Sequence, residues 1–241
     1  MRTIIYGDIH GCLDEFKTLR SELHITNEDR EISVGDVLDR GPDSNAMLTY
    51  LRKHSIEMVL GNHEYKYLRY SAHEEKSKCT GKKNPMSFDE DKLQIYEHLS
   101  VEDIEYITLA PFFIKIDNLT IIHAGITNTI DLLNANKKEL ESLTRIRDLD
   151  ANEKTLSLGQ TPFGYAPWSE FYDGGQGVIV YGHEVRSRVK IDKYSIGIDT
   201  GCVYGNFLTA LIIHDTKEPM LNYDIVQVRA KKAYATHSLH R

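Results

Sequence analysis

The sequence predicts an α/β protein in which two β-sheets pack face to face. In the first half, short apolar runs such as "TIIY" (3–6) and "EISV" (31–34) alternate with longer amphipathic stretches such as "LDEFKTLRSEL" (13–23). This alternation is typical of βαβ units with a largely parallel sheet. In the second half, strand-like runs follow one another with few helices between them: "FFIKI", "LTIIH", "GVIVYGH", "YSIGI", "FLTALII" and "NYDIVQV". These runs predict a second, more antiparallel sheet that packs on the first.

Length and composition favour one globular domain. The chain has 241 residues, of which 41% are hydrophobic and 27% are charged, values typical of a single domain with its own core. We expect residues 1–241 to form this domain, with a polar, helix-rich segment at about 70–110 as an insertion or cap. The turn-rich stretch "SLGQTPFGYAP" (157–167) is expected to be an ordered loop.

Charge and apolar patterning argue against two classes of function. The net charge of −7 disfavours a general nucleic-acid binder, so no stable nucleic-acid complex is expected. No segment approaches the roughly 18 apolar residues that cross a bilayer, and the amino terminus lacks the apolar region of a secretory signal. Cys12, Cys79 and Cys202 fit reduced thiols, so the expected location is the cytoplasm. The basic tail 229–241 is expected to be frayed.

Residues able to bind metal follow the predicted strands in a recurring arrangement. Four apolar runs end at a glycine that directly precedes such a residue, and a fifth run ends on His123. The four pairs are Gly7-Asp8, Gly35-Asp36, Gly61-Asn62 and Gly182-His183. Because the carboxyl ends of parallel strands lie along one edge of a sheet, these residues are expected to converge there.

The converging residues predict two metal ions. Asp8 and His10 are two residues apart, so in an extended segment they point to the same side and could face one ion. Asp36 has two carboxylate oxygens and could bridge that ion to a second one. The second ion would be completed by Asn62, His123 and His183. Imidazole and carboxylate ligands without cysteine favour Mn, Fe or Zn over calcium.

Neighbouring residues predict the remaining catalytic groups. Two ions roughly 3.5–4 Å apart are the arrangement used for in-line displacement at phosphorus. His63, next to a predicted ligand, is expected to protonate the leaving group, with Asp39 orienting it and raising its pKa. Arg40 offers a bidentate fork to the phosphate.

The motifs together resemble a known family. The set "GDIHG", "GDVLDRG", "GNHE", "HAG" and "GH" is similar to the calcineurin-type metallophosphoesterases, and "DRG" with "GNHE" resembles their phosphoprotein phosphatase (PPP) branch. "IDTGCVYGNFLTALII" (198–213) resembles the closing segment of bacterial and phage-type members, so nearly the whole chain is covered. The resemblance implies a four-layer αββα sandwich of two mixed β-sheets flanked by helices, a dinuclear Mn or Fe/Zn centre, and hydrolysis of phosphate monoesters or anhydrides.

Matched position by position, the resemblance implies a role for each predicted residue. His63 with Asp39 is implied as the acid pair, and Arg40 as a phosphate clamp. The implied ligands are Asp8, His10 and Asp36 on the first metal, with Asp36, Asn62, His123 and His183 on the second.

The chain departs from the family pattern at two places. After the last histidine the family usually has a threonine or a small residue, whereas "GHEVRSR" places Glu184 beside the site, with Arg186 and Arg188 nearby. Glu184 could repel an anionic substrate or hold Arg186. The second phosphate-binding arginine of protein phosphatases has no counterpart shortly before Val178. Instead, "LTRIRDL" resembles the arginine pair of diadenosine tetraphosphatase-like members. The predicted phosphate-binding residues are therefore Arg40, Asn62, Arg145 and Arg147.

These observations predict a metal-dependent phosphohydrolase in which a metal-bridging hydroxide attacks phosphorus in line. The subgroup resemblance favours a dinucleoside polyphosphate as the substrate, hydrolysed as by a bis(5'-nucleosyl)-tetraphosphatase. The alternative is a serine/threonine phosphoprotein phosphatase of the same family, because one centre can cleave both kinds of bond and specificity resides in the loops. A catalytically dead scaffold predicts the loss of a ligand or of the acid, and none is lost here.

Overall fold

The computed structural model describes residues 2–156, 165–218 and 221–236. Most of the predicted loop at 157–167 lies outside the described residues. The strands of the described part are β1 (Thr3–Tyr6), β2 (Arg30–Ser33), β3 (Glu57–Met58), β4 (Phe113–Ile116), β5 (Leu119–Ile122), β6 (Asp148–Leu149), β7 (Ala166–Pro167), β8 (Val178–Tyr181), β9 (Lys190–Ile191), β10 (Ser195–Gly197), β11 (Phe207–Asp215) and β12 (Asn222–Arg229). Its helices are α1 (Leu13–Glu22), α2 (Ser44–Lys53), α3 (Asn62–Thr80), α4 (Glu90–Glu97), α5 (Val101–Leu109), α6 (Lys137–Ser142) and α7 (Trp168–Phe171).

The strands form two five-stranded sheets and one small ribbon. The first sheet has the order β12-β11-β1-β2-β3, and the second has the order β4-β5-β8-β10-β9. In the first, β1, β2 and β3 are parallel, whereas β11 is antiparallel to both of its neighbours. In the second, β5, β8 and β10 are parallel, with β4 and β9 antiparallel at the edges. The predicted sandwich of two mixed sheets is therefore confirmed.

The assignment of the last two strands to the second sheet is wrong. β11 and β12 extend the first sheet, where Thr3 of β1 lies opposite Ile213 and Tyr6 lies opposite Ala210. The first sheet is consequently less parallel than expected, and the second sheet less antiparallel. The sequence pattern identifies a strand from its own residues, but the partner of that strand is set by contacts made about 200 residues away in the chain.

Three apolar interiors separate four layers. Successive residues of a strand point to opposite faces, so Ile5 of β1 packs between the two sheets while Ile4 and Tyr6 pack against helices of the first outer layer. On the far side of the second sheet, Ile179 packs with Trp168. Helices therefore cover both outer faces of the sandwich, as the αββα prediction requires.

The segment predicted as an insertion or cap at about 70–110 contains most of α3 and all of α4 and α5. It is helical, as expected, and it packs against α2. The Asn45 side chain donates to the Ile95 carbonyl (2.9 Å), and Arg52 donates to Asp103 (2.9 Å). Asp103 and Ser100 also form a capping box at the start of α5. The interpretation of this segment as a cap within one domain stays a prediction.

Part of the carboxyl-terminal tail is docked on α1, so the prediction of a frayed tail is wrong up to residue 236. The Lys231 N–H and the Tyr234 hydroxyl both donate to one oxygen of Glu15, at 3.0 and 2.7 Å. The Tyr234 and Ala235 N–H groups donate to the Val203 carbonyl. A buried carboxylate and an aromatic ring therefore anchor a segment that its basic composition alone does not suggest. Residues 237–241 lie outside the described part.

Two exclusions from the sequence can be compared with the structure. Among the described residues, no helix combines the length and the apolar character needed to cross a membrane. Cys12 and Cys202 are buried, Cys79 is exposed, and all three are free thiols.

Candidate metal centre

The polar residues that follow the strands of both sheets meet at one edge of the sandwich. The His183 N–H, just after β8, lies 3.1 Å from both carboxylate oxygens of Asp8, just after β1. His123, just after β5, has its Nε2 atom 3.3 Å from Oδ1 of Asp36. These contacts join the carboxyl ends of parallel strands from the two sheets, as the sequence predicts.

Asp36 lies at the middle of the site and presents its two oxygens to different histidines. Oδ1 is 3.3 Å from His123 Nε2, whereas Oδ2 is 3.6 Å from His10 Nε2 and 3.8 Å from His63 Nε2. Asp36 is only 2% exposed, so its charge is largely shielded from water. This geometry agrees with the predicted role of Asp36 as a bridge between two ions.

Two groups of side chains around Asp36 have the geometry of metal sites. One group is His10, Asp36 and His63, the other is Asp36, His123 and His183, and within each group the potential ligand atoms lie within 4.8 Å of one another. Asn62 adds its Oδ1 atom 3.0 Å from His123 Nε2. Bonds of about 2.0–2.2 Å to one ion place donor atoms roughly 3–3.5 Å apart, so these side chains fit the implied centre.

Backbone carbonyls fix which nitrogen of the two most buried histidines faces the centre. Nδ1 of His10 lies 2.8 Å from the Leu38 carbonyl, and Nδ1 of His123 lies 2.8 Å from the Val34 carbonyl. A carbonyl can only accept, so each Nδ1 must carry the hydrogen. Nε2 is then the nitrogen with which each ring can bind a metal, and the carbonyl holds the ring in that orientation.

Burial and neighbouring charges separate the pKa values of the histidines. Burial, helped by the charges of His63 and Arg40, lowers the pKa of His10 to about 3. Burial and the charge of His123 likewise lower the pKa of His183. Burial also opposes the protonation of His123, but the charge and hydrogen bond of Asp36, the charge of Asp8 and the Val34 carbonyl together outweigh burial and raise the pKa of His123 to about 9. A metal ion competes with that proton for the same nitrogen, so binding would release it.

Asp8 lies beside these two groups rather than within them. It is 4% exposed, and burial together with the charges of Asp199 and Asp36 holds its pKa well above the ordinary value. Its contact with the His183 N–H fixes the carboxylate between the loops after β1 and β8. The role of Asp8 as a ligand of the first ion stays a prediction.

Glu64 braces the loop that carries Asp36, a role for which the sequence analysis had no assignment. Its carboxylate is fully buried and accepts the backbone N–H groups of Asp36 (2.8 Å), Val37 (2.9 Å) and Leu38 (2.9 Å). Three consecutive donors on one carboxylate fix the course of the loop. The motif "GNHE" thus supplies a predicted ligand, a predicted acid and a brace in consecutive positions.

The loops at this edge adopt backbone conformations that are uncommon for residues with side chains. His10, Asp36, Asp39, Arg40 and His183 all have positive φ angles, between 46° and 70°. Each such residue costs of order 1 kcal/mol or more, and the cost is tolerated where surrounding contacts over-determine the loop. The backbone at Gly61 also lies very close to the loop that carries Asp36. A Cβ atom at residue 61 would lie 2.4 Å from the Asp36 nitrogen, so only glycine fits there.

The two residues predicted as the acid pair are in contact, and a third side chain joins them. His63 Nδ1 lies 2.5 Å from Asp39 Oδ2, and the buried Tyr67 hydroxyl donates to the other oxygen of Asp39 at 2.5 Å. Burial opposes the protonation of His63, but Asp36 and Asp39 outweigh it and hold its pKa above the ordinary value. With Nδ1 held by Asp39, only Nε2 is left for a proton transfer or for a metal ion.

Arg40 lies over the predicted first site and has an unpredicted partner. It is exposed, and its Nη1 atom lies 3.1 Å from His10 Nε2 and donates to the Tyr204 hydroxyl at 2.6 Å. The guanidinium also lies 5.7 Å from the centre of the Tyr204 ring. Tyr204 therefore orients the guanidinium that the sequence predicts as a phosphate clamp.

Of the predicted arginine pair, the structure brings Arg147 to the centre. Its Nε atom donates to His183 Nε2 at 2.9 Å, so it lies within reach of anything bound there. Arg145 is exposed, and its charge acts on Tyr65, whose hydroxyl donates to Glu141 at 2.6 Å. The two arginines thus lie at different depths, one at the centre and one at its rim.

The structure distinguishes the two alternatives for Glu184, which were repulsion of an anionic substrate and pairing with Arg186. Glu184 is 9% exposed, and its Oε2 atom accepts a hydrogen bond from Arg186 Nη2 at 2.7 Å. The Glu184 carboxylate is therefore paired with Arg186, as one of the two alternatives expects. Arg188 is exposed.

No role was predicted from the sequence for some residues at the site, namely Glu64, Tyr67, Asp199 and Tyr204. Glu64 and Tyr67 both lie on α3, and Tyr67 follows His63 by four residues, the spacing that puts two side chains on one helix face. That spacing could have predicted a contact of Tyr67 with the acid pair. Tyr204 and the buried Asp199 lie within the segment 198–213, whose resemblance to the family was noted without a role for either residue.

Comparisons with known proteins give a consistent result. The profile of the family described as calcineurin-like phosphoesterase matches residues 1–206. An asymmetrical bis(5'-nucleosyl)-tetraphosphatase, PrpE of Oceanobacillus iheyensis, is 29% identical over 229 residues, covering 87% of this chain and 88% of the relative. A symmetrical bis(5'-nucleosyl)-tetraphosphatase of Vibrio campbellii is 26% identical over 263 residues, covering 88% of this chain and 95% of the relative.

A solved structure agrees over almost the whole length. A protein provisionally described as a diadenosine tetraphosphatase superposes with a TM-score of 0.76 at 25% identity, covering 95% of this chain and 93% of that chain. The fold, the metal-binding geometry and the matched profile agree with one another. The chain belongs to the calcineurin-like phosphoesterase family.

Proposed function

We propose that the protein hydrolyses dinucleoside polyphosphates with two metal ions, Mn or alternatively Fe and Zn. The observation that carries the proposal is the pair of ligand groups that share Asp36. Relatives named as bis(5'-nucleosyl)-tetraphosphatases support the substrate class. The residues proposed to hold the first ion are Asp8, His10 and Asp36, and those proposed for the second are Asp36, Asn62, His123 and His183.

Each proposed role follows from a contact in the site. When bound, the ions supply a nucleophile at neutral pH and stabilise charge on the phosphoryl oxygens. His63, held through Nδ1 by Asp39, keeps Nε2 directed at the centre and there gives a proton to the leaving oxygen. Arg40 and Arg147, each donating to a histidine of the centre, bind oxygens of the polyphosphate from its two sides.

Arg145 extends this charge to the rim of the site. It is exposed beside Tyr65, three residues along α3 from Asn62. A substrate with several linked phosphates is longer than a single phosphoryl group, so it can contact Arg147 at the centre and Arg145 at the rim together. A small aryl phosphate can contact only the first. This difference separates the proposed substrate from a simple phosphate ester.

A phosphate-release panel tests the substrate class. Diadenosine tetraphosphate, a phosphoserine peptide and an aryl phosphate are each incubated with Mn and with a chelator. We expect Mn-dependent turnover, highest on diadenosine tetraphosphate, and nucleotide analysis then distinguishes two ADP from ATP plus AMP. Predominant turnover of the phosphopeptide would instead favour the alternative, a serine/threonine phosphoprotein phosphatase. Absence of metal-dependent turnover on all three would support a scaffold.

Replacement of the arginine pair tests how the substrate is held. Arg145→Ala with Arg147→Ala should abolish cleavage of diadenosine tetraphosphate, whereas cleavage of an aryl phosphate, which can contact Arg147 alone, should fall far less. The matched control is Arg188→Ala, which removes an exposed arginine. Equal losses on both substrates would contradict a role for the pair in binding the longer one.

Three further predictions from the sequence belong to the same proposal. The chain acts as one domain with its helical cap, in the cytoplasm, and its partner is a phosphorylated small molecule or nucleotide rather than a stable nucleic-acid complex. The net charge of −7 supports the last point, because general nucleic-acid binding needs a positive surface.

A further inference from the structure

Asp199 follows a strand end at the same edge as the predicted ligands. β10 runs parallel to β8, with Ile196 opposite Val180 and Gly197 opposite Tyr181. Two residues further on, this register brings Asp199 level with His183. The Arg186 N–H donates to the Asp199 carbonyl at 3.0 Å, which holds the two strand ends together beyond the paired residues.

The backbone before Asp199 also lies against the residue that precedes Asp8. A Cβ atom at Gly7 would lie 2.4 Å from the Ile198 carbonyl oxygen and 3.6 Å from the Asp199 nitrogen. The chain at Ile198 therefore lies so close to Gly7 that a side chain at residue 7 would not fit. The backbone segments that carry Asp8 and Asp199 thus meet, although they belong to two different sheets.

Asp8 and Asp199 are both buried carboxylates, each 4% exposed. In the part of the chain that the structure describes, neither forms an ion pair with lysine or arginine within 4.0 Å, and the Asp199 side chain accepts a hydrogen bond from the Gly201 N–H at 3.0 Å. The nearby positive charges of His123 and Arg40 act on Asp199 without forming such a pair.

Adjacent buried carboxylates are unfavourable unless a positive charge lies between or beside them. Histidines of the centre are already engaged with Asp36, and Arg40 contacts His10 and Tyr204. A divalent cation is the strongest local counter-charge that such a pair can have. We propose that Asp199 is a further carboxylate of the metal centre, which holds the first cation together with Asp8.

An Asp199→Asn variant separates this role from a structural one. Asparagine keeps the oxygen that accepts the Gly201 N–H but removes the negative charge. Without metal, the variant should therefore be as stable as the wild type or more stable, because repulsion from Asp8 is relieved. With Mn, its gain in melting temperature should be smaller. We expect the affinity for one of the two ions to fall at least about 10–100-fold, the loss that follows replacement of groups that only support metal ligands.

Mn titration followed by electron paramagnetic resonance, with melting curves in chelator and in Mn, measures both effects. Asp8→Asn should behave in the same way, whereas Asp103→Asn, a buried aspartate bound to Arg52, should lower stability equally with and without Mn and still bind two ions. Asp199→Glu keeps the charge and should retain both ions without a gain in metal-free stability.

Two results would overturn the assignment of Asp199. One is an Asp199→Asn protein that binds two Mn ions with unchanged affinity. The other is a variant that loses stability equally in both conditions, or fails to fold in chelator, since a purely structural carboxylate would behave in this way. Asp199 can act as proposed only if the centre binds metal, and the wild type tests that separately. A wild type that binds no Mn refutes the proposed function, whereas unchanged binding by the variant refutes only the role of Asp199.

Discussion

The two ends of the first sheet differ in the groups that lie beside their acidic side chains. At the amino ends of β1 and β2, Arg2 contacts Asp29 at 2.6 Å, and Arg20 contacts Glu31 at 2.8 Å. Arg20, Asp29 and Glu31 line part of a polar cavity of about 730 Å³ that also has Lys17 and Tyr50 in its wall. At the carboxyl ends, the carboxylates of Asp8 and Asp36 face histidines and a further carboxylate, Asp199 of the second sheet, instead.

This difference indicates that ion pairs that stabilise the fold and residues of the candidate site lie at opposite ends of the sheet. An arginine beside each acid at the amino end satisfies the charge within the protein. The carboxyl end leaves negative charge to be satisfied by bound cations, and its loops hold several residues at positive φ. We therefore expect charge removal to reduce stability at the first end and metal binding at the second.

The largest effect is expected from Asp36→Asn. The change removes the charge that both ligand groups share, so kcat/KM should fall by more than about 10³-fold on every phosphate substrate. The Asn oxygen can still accept the His63 N–H that Asp36 Oδ1 accepts at 3.1 Å, so folding should be preserved. Steady-state kinetics and Mn content measure the loss, and a variant that keeps wild-type activity would contradict the central position of Asp36.

His63→Gln should have the next largest effect and distinguishes an acid from a ligand. His63 belongs geometrically to one ligand group, but its contact with Asp39 indicates proton transfer. An acid role predicts a loss of about 10²-fold for an alkyl phosphate and much less for an aryl phosphate, whose leaving group needs no proton. Mn content should stay unchanged. A loss of one ion, with equal losses for both substrates, would instead identify His63 as a ligand.

Glu64→Gln tests the brace behind the site. Glutamine keeps one acceptor oxygen and turns an N–H group toward backbone donors, so we expect a loss of about 1–3 kcal/mol. For a chain of this size that corresponds to a fall of roughly 3–10 °C in melting temperature. Mn affinity should fall as well because the Asp36 loop loses support.

The matched control for this brace is Glu141→Gln. Glu141 is a rim glutamate whose carboxylate accepts the Tyr65 hydroxyl at 2.6 Å and lies 3.9 Å from Lys137 Nζ, and its side chain is 22% exposed. Its loss should leave Mn affinity unchanged. If both variants changed Mn affinity equally, the three N–H contacts of Glu64 would have no special importance.

The smallest effect is expected at the amino end, from Asp29→Asn. The Arg2 guanidinium holds the pKa of Asp29 well below the ordinary value. The pair therefore stabilises the fold above the usual aspartate pKa of about 4 and loses this contribution as the pH falls below it. We expect the variant to be less stable by about 1 kcal/mol at pH 7, with a smaller difference at pH 3.

Melting curves between pH 7 and pH 3 measure this dependence, and activity should stay unchanged at pH 7. A difference that is constant with pH would mean that the aspartate acts through its shape rather than its charge. A loss of activity would break the separation between the two ends of the sheet.

Local patterns predicted the parts of the fold that depend on local residues. "TIIY" and "SNAMLTYLRK" coincide with β1 and α2, and the motif starts lie at one edge as expected. The position of β11 could not be read in this way, because β11 carries apolar residues on both faces and would suit either sheet. Leu211 packs between the sheets and Ile212 packs against the helix layer.

The same limit applies to the site. Candidate ligands carry recognisable side chains at recognisable strand ends, so Asp36 and His123 could be named in advance. Glu64 acts by accepting backbone N–H groups, and backbone donors leave no trace in a sequence. Tyr204 lies 164 positions from Arg40 in the chain, so their contact is defined only in the folded protein.

The docking of residues 231–236 has a practical consequence for anyone who handles the protein. This segment contacts the turn that carries Tyr204, the partner of Arg40. Its N–H groups donate to the Val203 carbonyl, and Ala233 forms a β-bridge with Tyr204. A stop codon after Arg229 would thus remove support from Arg40, the proposed phosphate clamp, without altering any motif. A purification handle is better placed at the amino terminus, because the Arg2–Asp29 pair lies at the end of the first sheet opposite the predicted ligands.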